Sequence, residues 1–206
     1  MDLKQHILKK SLELFWRSGI KGITMDDISR ELGISKKTLY QYVENKSGLI
    51  GQLFQQHVDQ EKDCLCRIQL QSADAIHELL KVSHHIIEKL RAMSPTAVFD
   101  MKKYYPEIWK QVESMKHKLV YSAMRANLER GIREGVYRPG INPDIVAKFC
   151  VVRSSLMADE GLFPANEYGL GQLYREYIDY HIRGIASPKG IQALEKYLAA
   201  EKLVTE

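Results

Sequence analysis

The chain has 206 residues, and its 45% of hydrophobic residues is enough apolar material for a core, which excludes a wholly disordered protein. Its formal net charge is +4, and the first 50 residues hold nine Lys/Arg against six Asp/Glu. Three of the four excess positive charges therefore lie in the first quarter, which indicates a polyanion-binding N-terminal segment on a neutral body.

The three cysteines, Cys64, Cys66 and Cys150, are an odd number without the paired spacing of a metal site, and no signal-like apolar segment opens the chain. No run approaches the 18 or more apolar residues that a bilayer requires. We therefore expect a cytoplasmic protein that has no contact with a membrane, no metal site and no cofactor.

Apolar residues recur at helical spacing almost everywhere, which predicts an all-α fold of about nine to ten helices. Thr24 and Ser35 are the expected N-caps of two short helices, and Gly19 and Gly33 are the expected stops. The first four predicted helices cover residues 2–18, 25–32, 36–43 and about 47–70.

Prolines mark the breaks in the rest of the chain. Pro106 suits the first turn of a long helix that ends near Gly131, and Asn142 before Pro143 is a good helix start. The later predicted helices cover about 73–93, a short segment after Pro95, 106–131, 143–160, 167–185 and 188–203. We expect a DNA-binding domain at 1–48 and a helical sensing and dimerisation domain at 49–206.

The segment from Gly22 to Leu53 has the pattern of a helix-turn-helix. A small residue is needed where the helices cross and a flexible residue at the turn, and these are Ser29 and Gly33. Apolar residues lock the two helices together: Ile28, Leu32, Ile34 and Leu39. The second helix then presents a polar face suited to base edges and phosphates, formed by Lys36, Lys37, Thr38, Gln41 and Tyr42.

The run TMDDISRELGISKKTLYQYVENKSGL resembles the signature of TetR-type transcription regulators, with its Gly, Thr-Leu-Tyr and Asn-Lys elements at the usual spacing. The resemblance covers about 45 residues, from the first helix into the fourth. It implies that Lys36, Lys37, Thr38, Gln41 and Tyr42 face the major groove. It also implies that Thr24, Tyr40 and Lys46 contact the DNA backbone.

Residues 93–157 mix aromatic and apolar side chains with a few polar groups, as a small-molecule pocket does. Ordinary core packing is the alternative for each of these side chains. The candidate ligand-binding residues are His85, Tyr105, Trp109, Tyr121, Met124 and Met157.

Two successive helices near the C-terminus carry wide apolar bands, which suit a four-helix interface across a dimer axis. The family resemblance implies the same homodimer. The candidate interface residues are Leu170, Leu173, Tyr174, Tyr177, Ile178 and His181.

These observations predict a transcription regulator, a repressor that binds a near-palindromic double-stranded operator as a homodimer and is released by a small-molecule effector. An architectural DNA-binding protein without ligand control is the main alternative. A helical enzyme is the third, but the sequence holds no catalytic triad order, phosphate loop or cofactor fingerprint, so no enzymatic activity is expected.

Overall fold

A computed structural model of the protein describes residues 2–92, 94–157, 161–164 and 166–205. Ten α-helices lie in these ranges, and the only β-type pairing among them is an isolated bridge between Tyr137 and Ala186. The expected all-α fold is therefore confirmed. The helices are α1 Leu3–Ser18, α2 Met25–Glu31, α3 Lys36–Tyr40, α4 Lys46–Leu70, α5 Ala75–Ala92, α6 Pro95–Tyr104, α7 Pro106–Arg133, α8 Pro143–Leu156, α9 Leu170–Ile185 and α10 Pro188–Thr205.

Three predicted helix boundaries differ from the structure by three residues or more. Helix α3 ends at Tyr40 instead of residue 43, because the Gln41 amide turns back to the Thr38 carbonyl over 3.2 Å. Helix α9 begins at Leu170 instead of 167, because a turn closed by the Tyr168 amide on the Pro164 carbonyl precedes it. Helix α8 ends at Leu156, and the predicted end at 160 lies outside the described residues.

The chain divides into two compact units, which we name by their order of first appearance. The N-terminal unit comprises Met1–Glu61 and Ala92–Lys116, and the C-terminal unit comprises Lys62–Arg91 and His117–Glu206. The N-terminal unit therefore groups α6 and the start of α7 with the first helices. The functional division expected at residues 48 and 49 stays a prediction.

The core of the N-terminal unit is built from the apolar faces of α1 to α4 together with α6. Ile7, Leu39 and Leu49 have no exposed surface, and Met101 of α6 is 1% exposed within the same cluster. Burial of such side chains is the main favourable term in folding. Helix α6 is therefore part of the structure that supports the first three helices.

The core of the C-terminal unit depends on a close approach between Gly131 and Tyr137. A Cβ at Gly131 would lie 2.1 Å from the Tyr137 ring, so only glycine allows this contact. The Tyr137 hydroxyl is 2.8 Å from Oδ1 of Asn127, and Nδ2 of Asn127 donates to the Ala75 carbonyl over 3.0 Å. These hydrogen bonds satisfy buried polar groups and join α7 to the start of α5.

No helix in the described part of the chain combines the length and the apolar character that crossing a membrane requires.

Candidate nucleic-acid interface

Helices α2 and α3 form the predicted helix-turn-helix. Gly33 has φ +65°, a left-handed conformation that glycine adopts without steric cost. The small residue predicted at the crossing, Ser29, is 6% exposed, and its hydroxyl donates to the Asp26 carbonyl over 2.9 Å. Ile28 and Leu39 are almost completely buried, so the two helices are locked by apolar contacts.

The N-termini of α2 and α3 are both capped by their expected residues. The Thr24 hydroxyl accepts from the Asp27 amide over 3.1 Å, while the Asp27 carboxylate accepts from the Thr24 amide over 2.9 Å. This is a reciprocal capping box. Oγ of Ser35 accepts from the Thr38 amide over 3.0 Å. These contacts fix where each short helix begins.

The outward surface of α3 and its C-cap is polar and accessible. Lys36, Lys37 and Gln41 are exposed, and the Tyr40 side chain is 48% exposed. Thr38 is partly buried, and Tyr42 is partly buried against the core of the N-terminal unit. Of the five residues expected to face the groove, Lys36, Lys37 and Gln41 are thus the most accessible.

The two lysines of α3 differ in their electrostatic surroundings. Nζ of Lys36 lies 2.5 Å from Oδ1 of Asp26, so this ion pair joins α3 to α2. Within the described ranges no carboxylate lies at ion-pair distance from Lys37. Lys37 therefore contributes the more available positive charge to the α3 surface.

Lys46 holds the connection between α1 and α2. Its ammonium donates to the carbonyls of Ile20 and Lys21 over 2.5 and 3.2 Å. Its partial burial lowers the pKa of Lys46 from the ordinary value, because the charged form loses hydration. In the absence of DNA this ammonium is directed at backbone oxygens.

Asp100 of α6 binds the same connection between α1 and α2, but through a negative charge that accepts hydrogen bonds. Its Oδ2 accepts from the backbone amides of Ile20 and Lys21, each over 2.8 Å, and its side chain is 7% exposed. The approach is close at Gly19, whose φ is +76° and where a Cβ would lie 3.1 Å from Oδ2 of Asp100. Sequence analysis missed Asp100, since no local pattern connects residues 80 positions apart.

The six candidate ligand-binding residues fall in different units. Tyr105 and Trp109 pack partly buried against the core of the N-terminal unit. The C-terminal unit contains the other four: His85, Tyr121, Met124 and Met157. The Tyr121 hydroxyl donates to Asp144 over 2.7 Å, and Nδ1 of His85 lies 3.8 Å from Sγ of Cys64.

A groove of about 540 Å³ lies within the N-terminal unit, between α4 and the start of α7. None of the six candidate residues lines it. Its lining residues are Gly51, Gln55, Glu107, Ile108, Lys110, Gln111, Val112, Ser114 and Met115. Among the described residues, no group of three or more His, Cys, Asp or Glu side chains is placed to hold a metal ion.

The candidate dimer residues on α9 are mostly directed into their own unit. Ile178 is 5% exposed, and Tyr174 and Tyr177 pack against the core cluster of the C-terminal unit. His181 and Leu173 are partly buried, whereas Leu170 is exposed.

The more exposed apolar surface lies on α8. We name it the outer stripe of α8, and its four members recur at spacings of four, three and four residues. They are Ile145, Phe149, Val152 and Leu156, with exposed fractions of 48%, 68%, 59% and 46%. This spacing places all four on one side of the helix.

Residues 7–53 match the model of the family described as "Bacterial regulatory proteins, tetR family". A curated relative, the HTH-type transcriptional regulator YvaF of Bacillus subtilis (strain 168), is 21% identical over 194 residues, which cover 93% of this chain and 100% of that protein. Its function is itself uncharacterised.

Two solved structures share the fold. A transcriptional regulator from Cytophaga hutchinsonii aligns with TM-score 0.71 and 21% identity, covering 89% of this chain and 98% of its own. The regulator FadR from Bacillus subtilis, in complex with stearoyl-CoA, aligns with TM-score 0.65 and 16% identity, covering 88% and 98%.

Replacing Asp100 tests whether α6 supports the DNA-binding helices. Asp100→Leu removes the acceptor for two backbone amides, and we expect it to lower the free energy of unfolding by about 2 kcal/mol or more. Asp100→Asn keeps one acceptor oxygen, so it should lower the free energy of unfolding by less. Urea unfolding measures both. The matched control is Asp59→Leu at an exposed carboxylate of α4. Equal losses at positions 59 and 100 would contradict the supporting role of Asp100.

Proposed function

We propose, on the premise that residues 7–53 of this chain are a tetR-family regulatory segment, that the protein represses transcription by binding operator DNA as a homodimer. A small-molecule effector then releases it. One observation carries the proposal: α3 buries Leu39 completely while it leaves Lys36, Lys37 and Gln41 accessible. A short helix of this kind, supported by a second helix across a tight turn, is the element that enters the major groove.

The exposed groups of α3 have the chemistry that DNA recognition uses. A lysine ammonium contacts guanine acceptors or phosphates, and a glutamine amide pairs with adenine through two hydrogen bonds. We assign sequence discrimination to Gln41 and a phosphate contact at the groove to Lys37, with Lys36, Thr38 and Tyr42 at the edge of the surface. Tyr40 is assigned to the backbone.

Thr24 and Lys46 remain proposed phosphate contacts. The Thr24 hydroxyl caps α2, and the Lys46 ammonium is bound to two carbonyls. A phosphate would therefore have to share these groups or displace their present partners. Contacts of this kind position the protein without specifying sequence.

A homodimer is proposed because two recognition helices must meet successive major grooves on one face of the duplex. The outer stripe of α8 supports this proposal, since contiguous exposed apolar side chains mark interaction surfaces. We propose that α8 and the exposed end of α9 near Leu170 form a four-helix contact with a second copy.

Effector control is proposed from the relatives and from the structure of the C-terminal unit. FadR was solved with stearoyl-CoA bound, so one protein of this fold takes a small-molecule ligand. The candidate residues His85, Tyr121, Met124 and Met157 all lie within the C-terminal unit, and Tyr105 and Trp109 are the candidates outside it. Helix α4 contributes residues to both units, so we propose it as the element through which the effector acts.

An architectural DNA-binding protein would share the α3 surface but would lack strong sequence preference. A regulator requires a preference for its operator over other duplexes of about 10³ or more. The two functions are therefore separated by the specificity ratio at a stated salt concentration.

Two substitutions on the α3 surface test the DNA-binding proposal. We expect Lys37→Met to weaken binding to every duplex and to reduce the slope of log affinity against log salt by about one unit. Gln41→Ala should relax preference mainly at one base position, at a cost of about 1–3 kcal/mol.

Fluorescence anisotropy across a salt series measures both effects on the preferred duplex. Lys10→Met is the matched control, because Lys10 lies on α1 and is paired with Glu13 over 2.8 Å. If Lys37→Met leaves both affinity and salt slope as in the wild type, α3 does not contact DNA as proposed.

Charges placed on the outer stripe of α8 test the dimer. Phe149→Glu with Val152→Glu should yield folded monomers, because exposed side chains can be changed without opening the core while the apolar contact is lost. Analytical ultracentrifugation measures the assembly, and circular dichroism verifies the fold. Tyr177 and Ile178 are unsuitable for this test, since they pack within their own unit.

The control places two charges on exposed positions of α7, Ser122→Glu with Ala126→Glu. The control should remain dimeric. A wild-type protein that sediments as a monomer at micromolar concentration would contradict the homodimer.

A further inference from the structure

Helix α8 has a second stripe of residues, which is buried or partly buried where the outer stripe is exposed. We name it the inner stripe of α8. Val146 packs against the core cluster of the C-terminal unit, Cys150 is 1% exposed, and Met157, directly after the last residue of α8, is partly buried. The fourth member of this inner stripe is Arg153. By this helical spacing, the guanidinium of Arg153 lies on a side of α8 that is otherwise apolar.

Among the residues that the structure describes, none places a carboxylate at ion-pair distance from Arg153. Its guanidinium lies over the ring of Tyr177, and its Nε is buried without a hydrogen-bond partner. Sγ of Cys150 lies 3.6 Å from the Tyr177 hydroxyl and 3.8 Å from Nε2 of His181. The Cys150 thiol acts to raise the pKa of Arg153 against the larger effect of burial, but a thiol is a weak hydrogen-bond acceptor.

Three other arginines of the C-terminal unit are paired with carboxylates. Arg130 contacts Glu78 and Glu134, Arg125 contacts Glu129, and Arg183 contacts Asp179 and Glu195. Within the described residues, Arg153 is buried to a similar or greater extent and has no such partner. A partly buried charge without a counter-charge is costly, so an anion bound beside Arg153 would be stabilised by its guanidinium.

Of the side chains of Arg153, His181 and Tyr174, only that of Arg153 carries a charge at neutral pH. Burial lowers the pKa of Arg153 to about 10, so the guanidinium is still charged at neutral pH. Burial and, to a smaller extent, the charge of Arg153 lower the pKa of His181 from 6.5 to about 4, so the imidazole is neutral. Burial raises the pKa of Tyr174 to about 12 and keeps its hydroxyl protonated.

We propose that Arg153, with the side chains of Cys150, Tyr174, Tyr177 and His181, is a binding site for the carboxylate or phosphate group of a small organic anion. The guanidinium would bind two anionic oxygens through its paired N–H groups. Tyr174 and Tyr177 meet edge to face with ring centroids 6.2 Å apart, and Tyr177 stacks on His181 at 5.4 Å. These rings suit a flat apolar body attached to the anionic group. The inference rests on the proposed function and deepens it, because it names the chemical class of the effector.

Isothermal titration of the full chain with benzoate, phenyl phosphate and benzamide tests the site. The three probes share a ring and differ in charge, so their order of affinity reports on the guanidinium. We expect at least one anion to bind about ten-fold more tightly than neutral benzamide. The stronger of the two anions identifies carboxylate or phosphate as the preferred group. Equal affinities, or no binding of either anion at millimolar concentration, would overturn the proposal.

Arg153→Met should abolish the preference for the anions, and Arg153→Lys should retain part of it, because lysine keeps the charge and loses the paired donors. Arg175→Met, at an exposed arginine of α9, should leave the preference as it is in the wild type. The ligand-free Arg153→Met protein should melt at the same temperature as the wild type or higher, because an unpaired buried charge has been removed. A lower melting temperature would show that the guanidinium already has a counter-charge, and would overturn the proposal.

Operator binding by the ligand-free wild type is measured beside these titrations. A protein that binds its operator and shows no anion preference disproves this site alone. A protein that prefers the anions and binds no operator disproves the proposed function and not the site.

Discussion

The backbone between α1 and α2 is held by two opposite charges, and the position of the DNA-binding helices depends on this constraint. Asp100 accepts from the amides of Ile20 and Lys21, and Lys46 donates to the carbonyls of the same two residues. Hydrogen bonds to charged groups are stronger than those between neutral groups, and Asp100 satisfies the amide of Ile20, which is buried. Because α2 begins four residues later with its own capping box, the start of the helix-turn-helix is fixed relative to α6 and α4.

The two sides of α8 show how one helix can serve two purposes. The outer stripe is exposed and apolar, which suits contact with a second copy, whereas the inner stripe packs within the C-terminal unit and contains Arg153. A helix with apolar residues on both sides needs more than its own domain to bury them. The proposed dimer and the proposed anion site are therefore separate on this helix, and substitutions can address each without the other.

Local sequence patterns were sufficient for the fold class and for the helix-turn-helix. The caps at Thr24 and Ser35 and the turn at Gly33 are decided within a few residues, so spacing alone predicts them. The roles of Asp100 and Arg153 depend on contacts between helices far apart in the chain, and no local pattern reports such contacts. Periodicity likewise identified the apolar band of α9 but not its direction, and Ile178 is buried in its own unit.

We propose that α3 recognises a particular DNA sequence, and that the two copies of α3 in the homodimer bind the two halves of a symmetric site. Selection of bound sequences from a random duplex pool by the full chain, at physiological salt, tests this claim most directly. We expect enrichment of a near-palindromic sequence whose half-sites are separated by about one helical turn, bound about 10³-fold or more tightly than the starting pool. A pool that remains without sequence preference after successive rounds, while still binding the protein, would contradict the account and favour an architectural DNA-binding protein.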